Sequence, residues 1–167
     1  MLAVVAFPVL STEDGRKIEA LREQHDPNAA RVAPHFTLVF PTDAVAEKTL
    51  LQRMQDAAAE TAPFAIALKR ILVHQEGGDS YLYLVPEAGY DALVALHARL
   101  NGAEAGKPAF TPHVTVGRLG DRKQARGIAM ALATEHFSVN GRVEALSVVK
   151  VPKRARIRAV HTAPLRG

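Results

Sequence analysis

Two short stretches carry the residues best suited to chemistry: His35-Phe36-Thr37-Leu38 and its near-copy His113-Val114-Thr115-Val116. Each lies in an apolar run that reads as a strand, and side chains on a strand alternate between faces. His35 and Thr37 are therefore expected on one face, with Phe36, Leu38 and Phe40 on the other; His113, Thr115 and Gly117 repeat the arrangement. Each polar face then offers an imidazole beside a hydroxyl. With an unperturbed pKa of about 6.5, imidazole serves as base or acid near neutral pH. Two of them can divide the work of phosphoryl transfer at a diester, one removing a proton from the attacking oxygen and the other protonating the leaving oxygen. The hydroxyls of Thr37 and Thr115 can donate to non-bridging oxygens, and Arg118 or a basic run further along can neutralise charge.

A single histidine on a strand is ordinarily a hydrogen-bonded structural residue, and His25, His74, His97, His136 and His161 are read that way, as structural or surface groups. Duplication sets His35 and His113 apart. A metal centre asks for three or four ligands at recognisable spacing. The chain has no cysteine and no His-x-x-x-His pair, so neither a metal nor another cofactor is expected. Phe36, Leu38, Phe40, Val114 and Val116 are expected in the core. Phe7, Tyr83 and Phe110 read as packing residues or as aromatic walls of a cleft, and Arg118 as a phosphate contact or as the partner of a surface carboxylate.

The elements that must position these residues follow from periodicity and punctuation. Leu2 to Phe7 is a β-branched apolar run stopped by Pro8, hence a strand. Ser11 and Thr12 precede Glu13 and Asp14, and Ile18, Leu21 and His25 recur at helical spacing, which gives a capped helix ending near Asp26-Pro27. Pro34 disfavours helix before it and leads into the motif strand, His35 to Phe40, which Pro41 should end. Thr42 or Asp43 should cap a helix from about Ala44 to Thr61. Phe64 to Val73 and Tyr81 to Val85 flank Gly77-Gly78-Asp79-Ser80, a hairpin signal. Tyr90 to Leu100 reads as a helix closed by Asn101-Gly102, and a loop through Pro108 should lead to the second motif. Asp121 should cap a helix to about Glu135. Strands are expected at Phe137–Asn140 and Val143–Val151, joined near Gly141-Arg142, and at Ile157–His161. This order is α+β in one domain, residues 1–167. The motifs stand 78 positions apart, from 35 to 113, close to half the chain, so an internal duplication forming two lobes across a cleft is plausible on element order.

Charge is uneven. Residues 1–117 carry 10 Lys/Arg against 14 Asp/Glu, and residues 118–167 carry 11 against 3. The basic run Lys150, Lys153, Arg154, Arg156 and Arg158 could track an RNA backbone or form a solvated edge; stacking aromatics are sparse there. No basic leader with a cleavage site and no membrane-length apolar run is seen, so a soluble, cytoplasmic protein without membrane partners is expected.

With these motifs the chain resembles the 2H phosphoesterases, and most closely the bacterial RNA 2′,3′-cyclic phosphodiesterase group, also called 2′-5′ RNA ligases. The resemblance rests on Pro34-His35-Phe36-Thr37-Leu38 and Pro112-His113-Val114-Thr115-Val116-Gly117-Arg118. Members carry two His-x-Thr/Ser-hydrophobic motifs about half a chain apart, the second often followed by a small residue and an arginine. The resemblance implies a bilobal fold with a pseudo-two-fold axis and both motifs on central strands. It also implies metal-independent hydrolysis of a 2′,3′-cyclic phosphate, on an RNA end or a small nucleotide, to a 2′-phosphate. On that basis His113 is assigned as base and His35 as acid, with Thr37, Thr115 and Arg118 binding phosphate and the protein acting as a monomer. Ligation in the reverse direction is also implied as a possible activity. The alternative is a non-catalytic module on the same fold that holds RNA or a nucleotide without turnover.

Overall fold

The computed structural model describes residues 1–102 and 109–167; the loop expected to run through Pro108 lies largely outside them. The described residues form thirteen elements in chain order. They are β1 (Leu2–Ala6), β2 (Val9–Leu10), α1 (Thr12–His25), β3 (Phe36–Thr42), α2 (Glu47–Ala59), β4 (Phe64–Glu76) and β5 (Asp79–Pro86). After them come α3 (Tyr90–Asn101), β6 (Val114–Leu119), α4 (Arg122–Thr134), β7 (Val139–Val143), β8 (Ala145–Lys150) and β9 (Arg158–Pro164). The fold is α+β, with one nine-stranded antiparallel sheet ordered β2-β7-β4-β5-β6-β3-β1-β8-β9.

Local chemistry accounts for several of these elements. Ser11 caps α1 by accepting from the Asp14 N–H, and Asp121 caps α4 by accepting from the Lys123 and Gln124 N–H groups, each meeting donors that a helix start leaves unpaired. Gly77 and Gly78 both take positive φ at the β4–β5 hairpin turn, which is the backbone twist a tight hairpin needs. The second helix starts later than its periodicity suggests. Thr42 Oγ1 accepts from the Ala44 N–H in a turn of its own and Asp43 pairs with the N-terminal amine, so α2 begins at Glu47 without a side-chain cap. Gly141 and Arg142 do not join two strands; they lie inside β7, paired on one side to β2, a strand the periodicity did not reveal, and on the other to β4.

The sheet divides into a five-stranded half, β2-β7-β4-β5-β6, and a four-stranded half, β3-β1-β8-β9. β6 and β3 lie side by side at its middle, joined through a single pair, Phe36 with Val114. Helices α1 and α4 pack over the β6 half, while α2 and α3 pack over the β3 half. Phe36, Leu38, Leu82, Val114 and Val116 lie in one buried cluster.

Both motif strands carry a bulge at the same motif position. Val5 pairs with Thr37 and Val4 with Val39, so Leu38 is the extra residue in β3. Tyr83 pairs with Thr115 and Leu82 with Gly117, so Val116 is the extra residue in β6. Each is the apolar residue three after the histidine. A bulge shifts the alternation by one, and this corrects two expectations. Phe40, read as core, is 56% exposed, because the bulge turns it onto the face of Thr37. Gly117, read as sharing a face with His113 and Thr115, is buried against Leu82 and His25, where an added Cβ would lie 2.9 Å from a Leu82 methyl carbon. By the same shift Arg118 returns to the face of Thr115.

The loop between α1 and β3 is held by a buried ion pair. Arg22, 1% exposed, donates from Nε to Asp26 at 3.1 Å, from Nη2 to the Val32 carbonyl at 2.7 Å, and from Nη1 to Glu19. Asp26 Oδ1 accepts from the Asn28 N–H at 2.9 Å. Removing one partner of such a pair leaves an uncompensated buried charge. Asp26→Ala is therefore expected to cost about 3 kcal/mol of stability, read as a lowered midpoint in urea unfolding with an unchanged slope; a midpoint within error of wild type would refute this.

Candidate active site

The Phe36–Val114 pair sets the geometry of both motifs. Its two side chains are buried, so the residues flanking them face the other way, into the cleft. In an antiparallel pair the flanking positions lie opposite one another, so extending the Phe36–Val114 register by one residue on either side puts His35 opposite Thr115 and Thr37 opposite His113. Directly opposed residues have Cβ atoms about 5 Å apart and diagonal ones about 7–8 Å apart. The histidines occupy the diagonal, as do the threonines. The two imidazoles lie near enough for the charge of His35 to act on His113.

Each imidazole is held in the same way. His35 sits just before β3 and its Nδ1 lies 2.8 Å from the Ala33 carbonyl; His113 sits just before β6 and its Nδ1 lies 2.7 Å from the Thr111 carbonyl. A carbonyl only accepts, so Nδ1 carries hydrogen in both rings. This tautomer directs Nε2, the other ring nitrogen, away from the backbone as the proton-transfer atom. Pro34 and Pro112 hold each connection extended between the carbonyl and its histidine. Burial lowers the pKa of both histidines from 6.5. The backbone carbonyls oppose that shift; nearby Arg22 reinforces it at His35, and His74 and His35 reinforce it at His113. Neither threonine hydroxyl has a hydrogen-bond partner among the described residues, and neither side chain is fully buried.

The surroundings differ between the halves. Tyr83 stacks on His113 with centroids 3.6 Å apart, and His74 lies behind Tyr83 at 5.4 Å. Burial and the Glu76 carboxylate push the Tyr83 phenol up to about 12, so it stays neutral beside the imidazole. On the other side Phe7 tilts against His35 at 5.9 Å. A cavity of about 740 Å³ opens beside His113, with Phe40, Leu72, Tyr83, Phe110, Arg53 and Glu76 among its walls. Its size suits a small organic ligand. His97 is a structural residue: Nδ1 donates to the Leu38 carbonyl at 2.8 Å, and Asn101 donates to the same oxygen at 2.9 Å, securing the bulge in β3.

Of the two sequence readings of Arg118, the carboxylate pair is present. Its Nε donates to Asp79 Oδ2 at 2.8 Å, which raises its pKa, and the guanidinium lies over Tyr81 at 5.7 Å. The bulge nevertheless places it on the cleft face of β6. Lys150, Lys153, Arg154, Arg156 and Arg158 are all exposed, from the last residue of β8 through the connecting segment to the first residue of β9. Periodicity did not single out His74, and the parts of Tyr83 and Phe7 depend on which strand neighbours which. Only the alternation Tyr81-Leu82-Tyr83 hinted that both tyrosines share a face. Among the described residues no group of three His, Cys, Asp or Glu side chains could hold a metal ion, and no helix is long and apolar enough to cross a membrane.

A family model described as the 2′-5′ RNA ligase superfamily matches residues 9–154. The chain belongs to the 2′-5′ RNA ligase superfamily. Among superfamily relatives, a protein of Geobacillus kaustophilus named "Putative phosphoesterase" is 33% identical over 121 residues, 69% of this chain and 67% of that one. A Bacillus cereus protein of the same name is 27% identical over 130 residues, 74% of this chain and 73% of its own. Among solved structures, TT0787 of Thermus thermophilus superposes with a TM-score of 0.67 at 19% identity, covering 99% of this chain and 98% of that one. E. coli LigT complexed with NADP+ gives 0.62 at 18%, covering 99% and 97%. These structures share the superfamily fold, the 2H phosphoesterase architecture that the paired motifs implied.

Proposed function

We propose that this superfamily member is a metal-independent phosphodiesterase that opens a 2′,3′-cyclic phosphate, on an RNA end or a small nucleotide, to a 2′-phosphate. The observation that carries the reading is the square of His35, Thr115, Thr37 and His113 around one core pair, with both imidazoles in the same tautomer. In the proposed step His113 Nε2 takes a proton from water as its oxygen attacks phosphorus. The bond from phosphorus to the ribose 3′ oxygen breaks, and that oxygen receives the proton carried by His35 Nε2. One water is consumed and one phosphate monoester and one hydroxyl are formed. Thr37 and Thr115 donate to the non-bridging oxygens, where negative charge builds. Arg118 supports that charge from the end of β6, and Lys150, Lys153 and Arg154 attract an RNA backbone at longer range. The cavity beside His113 receives the nucleoside, with Tyr83, Phe40 and Phe110 as apolar and stacking surface. LigT and Usb1, which share the fold, have been solved with 3′-AMP and with uridine monophosphate respectively, which favours a nucleotide as occupant. The square would serve ligation equally by microscopic reversibility.

The test is turnover of cyclic mononucleotides, cyclic-ended oligonucleotides and ADP-ribose cyclic phosphate with excess chelator present. Hydrolysis to 2′-phosphate is expected; absence of turnover on all three sinks the reading and leaves a binding module. Reversible loss on chelation would overturn metal independence. Acidity provides a second check. The productive free enzyme has His113 neutral and His35 protonated, and burial lowers both pKa values from 6.5. The bell of kcat/KM should therefore peak below pH 6.5 and fall as pH rises through the higher apparent value, where the acid loses its proton. A bound phosphate anion raises both values, so the kcat profile should lie at higher pH. A free-enzyme optimum well above neutrality would contradict this assignment.

A further inference from the structure

Outside the square lies a notch of about 300 Å³ that the proposed step does not use. It is formed where the loop before His35 meets the segment between β8 and β9, and its walls include Arg31, Arg156 and Arg158, with Glu19, Val32 and Ala33. Two pieces of chain distant in sequence are clasped to make it. Arg31 donates to Asn28 Oδ1 at 2.9 Å and to the Pro152 carbonyl at 2.8 Å, and the Ile157 N–H donates back to the Arg31 carbonyl at 2.9 Å. Arg156 gives only its Nε, to the Ala30 carbonyl at 3.2 Å, and its terminal nitrogens have no partner among the described residues. Arg158 is exposed on β9, with no side-chain partner among the described residues. Glu19 is engaged by the buried Arg22, which also holds Asp26. Taken together these groups leave two positive charges in excess, and the excess sits on the two guanidinium groups that still have donors to offer.

We propose that this notch is a second anion site, built to hold a phosphate group of the substrate other than the one being cleaved. Its position supports this. Ala33 lines the notch, and the Ala33 carbonyl holds His35 Nδ1. Two residues of extended chain span at most about 7 Å, so a ligand anchored between the histidines needs to reach only a short way past His35 to place a second phosphate against Arg156 and Arg158. Guanidinium groups with free terminal N–H pairs bind phosphate oxygens in bidentate fashion. The second phosphate has two possible sources of the same chemistry: the phosphodiester that precedes a cyclic RNA end, or the pyrophosphate of a nucleoside-diphosphate sugar. Either makes the notch the element that separates such substrates from cyclic mononucleotides, which carry one phosphate only.

The inference rests on the hydrolytic reading for its kinetic test and has a binding test that does not. Wild-type protein, Arg158→Ala, Arg158→Glu and Arg158→Lys are compared on a 2′,3′-cyclic mononucleotide, a cyclic-ended dinucleotide and ADP-ribose cyclic phosphate. Arg158 lies outside the square and has no described side-chain partner, so the mononucleotide rate should not change. On whichever of the two substrates with a further phosphate the notch serves, R158A is expected to raise KM about tenfold, R158E to raise it further, and R158K to recover most of the loss. A dinucleotide effect alone identifies the phosphodiester source; an effect on ADP-ribose cyclic phosphate alone identifies the pyrophosphate. KM unchanged on both, or an equal change on the mononucleotide, overturns the notch. In parallel, anisotropy of a fluorescein-labelled tetraribonucleotide measures binding without turnover, and R158E should lower affinity and reduce the salt slope by about 0.7 for the lost phosphate contact. If no cyclic substrate is hydrolysed but R158E weakens this binding, the hydrolase reading fails and the notch stands for the phosphodiester source. If nothing is hydrolysed and R158E leaves binding unchanged, both fail.

Discussion

His113→Ala and His35→Ala are each expected to lower kcat for a 2′,3′-cyclic nucleotide by about a thousandfold, within the range that positioned acid and base groups contribute, while leaving affinity for the 2′-phosphate product within a few fold. The reason is structural. Each Nδ1 is already committed to a carbonyl, of Ala33 or of Thr111, so each ring presents a single proton-transfer atom to the cleft. Tyr83 stacks on His113 but has its pKa pushed up to about 12, and it makes a poor substitute base near neutral pH. Loss of both histidines should cost little more than loss of one, because acid and base act in the same step and such effects do not add. Rapid-quench turnover and equilibrium binding of the product, measured on the same variants, check this. Variants that lose binding and turnover in equal measure would place the histidines in anchoring rather than in proton transfer.

The second large effect belongs to the hydroxyls. Thr37→Val and Thr115→Val keep the β-branched shape that suits a strand and remove one donor each, so each is expected to lower kcat about a hundredfold with KM little changed. A donor that meets charge developing on the non-bridging oxygens acts more strongly in the transition state than in the ground state, and this puts its loss in kcat. Thr→Ser at either position should restore most of the activity. Equal losses in KM with kcat intact would show that the hydroxyls bind ground-state substrate instead. Diagonal placement of the two threonines predicts comparable losses; a tenfold inequality between T37V and T115V would mean that the phosphate sits off the centre of the square.

How much of this was legible before folding can be judged residue by residue. The helix caps at Ser11 and Asp121 and the glycine turn at Gly77-Gly78 are short-range chemistry, and their spacing alone predicted α1, α4 and the β4–β5 hairpin. The same holds for the inward faces of Phe36 and Val114. Expectations failed where a neighbour across the sheet decided the outcome. Phe40 and Gly117 changed faces because Leu38 and Val116 bulge, and a bulge depends on how two strands pair. Thr42 and Asp43, both good caps by type, found other partners, the Ala44 N–H and the N-terminal amine, and left the start of α2 uncapped.

By itself the sequence determined the chemistry on offer: two imidazoles, each with a hydroxyl two residues on, preceded by proline and duplicated at half-chain spacing. That much is carried by residue type and strand periodicity, which act over a few residues. The tertiary structure decided that the two motifs meet at one cross-strand pair, that each histidine stands opposite the other motif's threonine, and that Tyr83 and Phe7 flank the imidazoles. It also brought the loop of Arg31 against the segment of Arg156 and Arg158, positions more than a hundred residues apart. These contacts depend on which strands become neighbours, and that is settled by burial of the whole core, to which Phe36, Leu38, Val114 and Val116 contribute together.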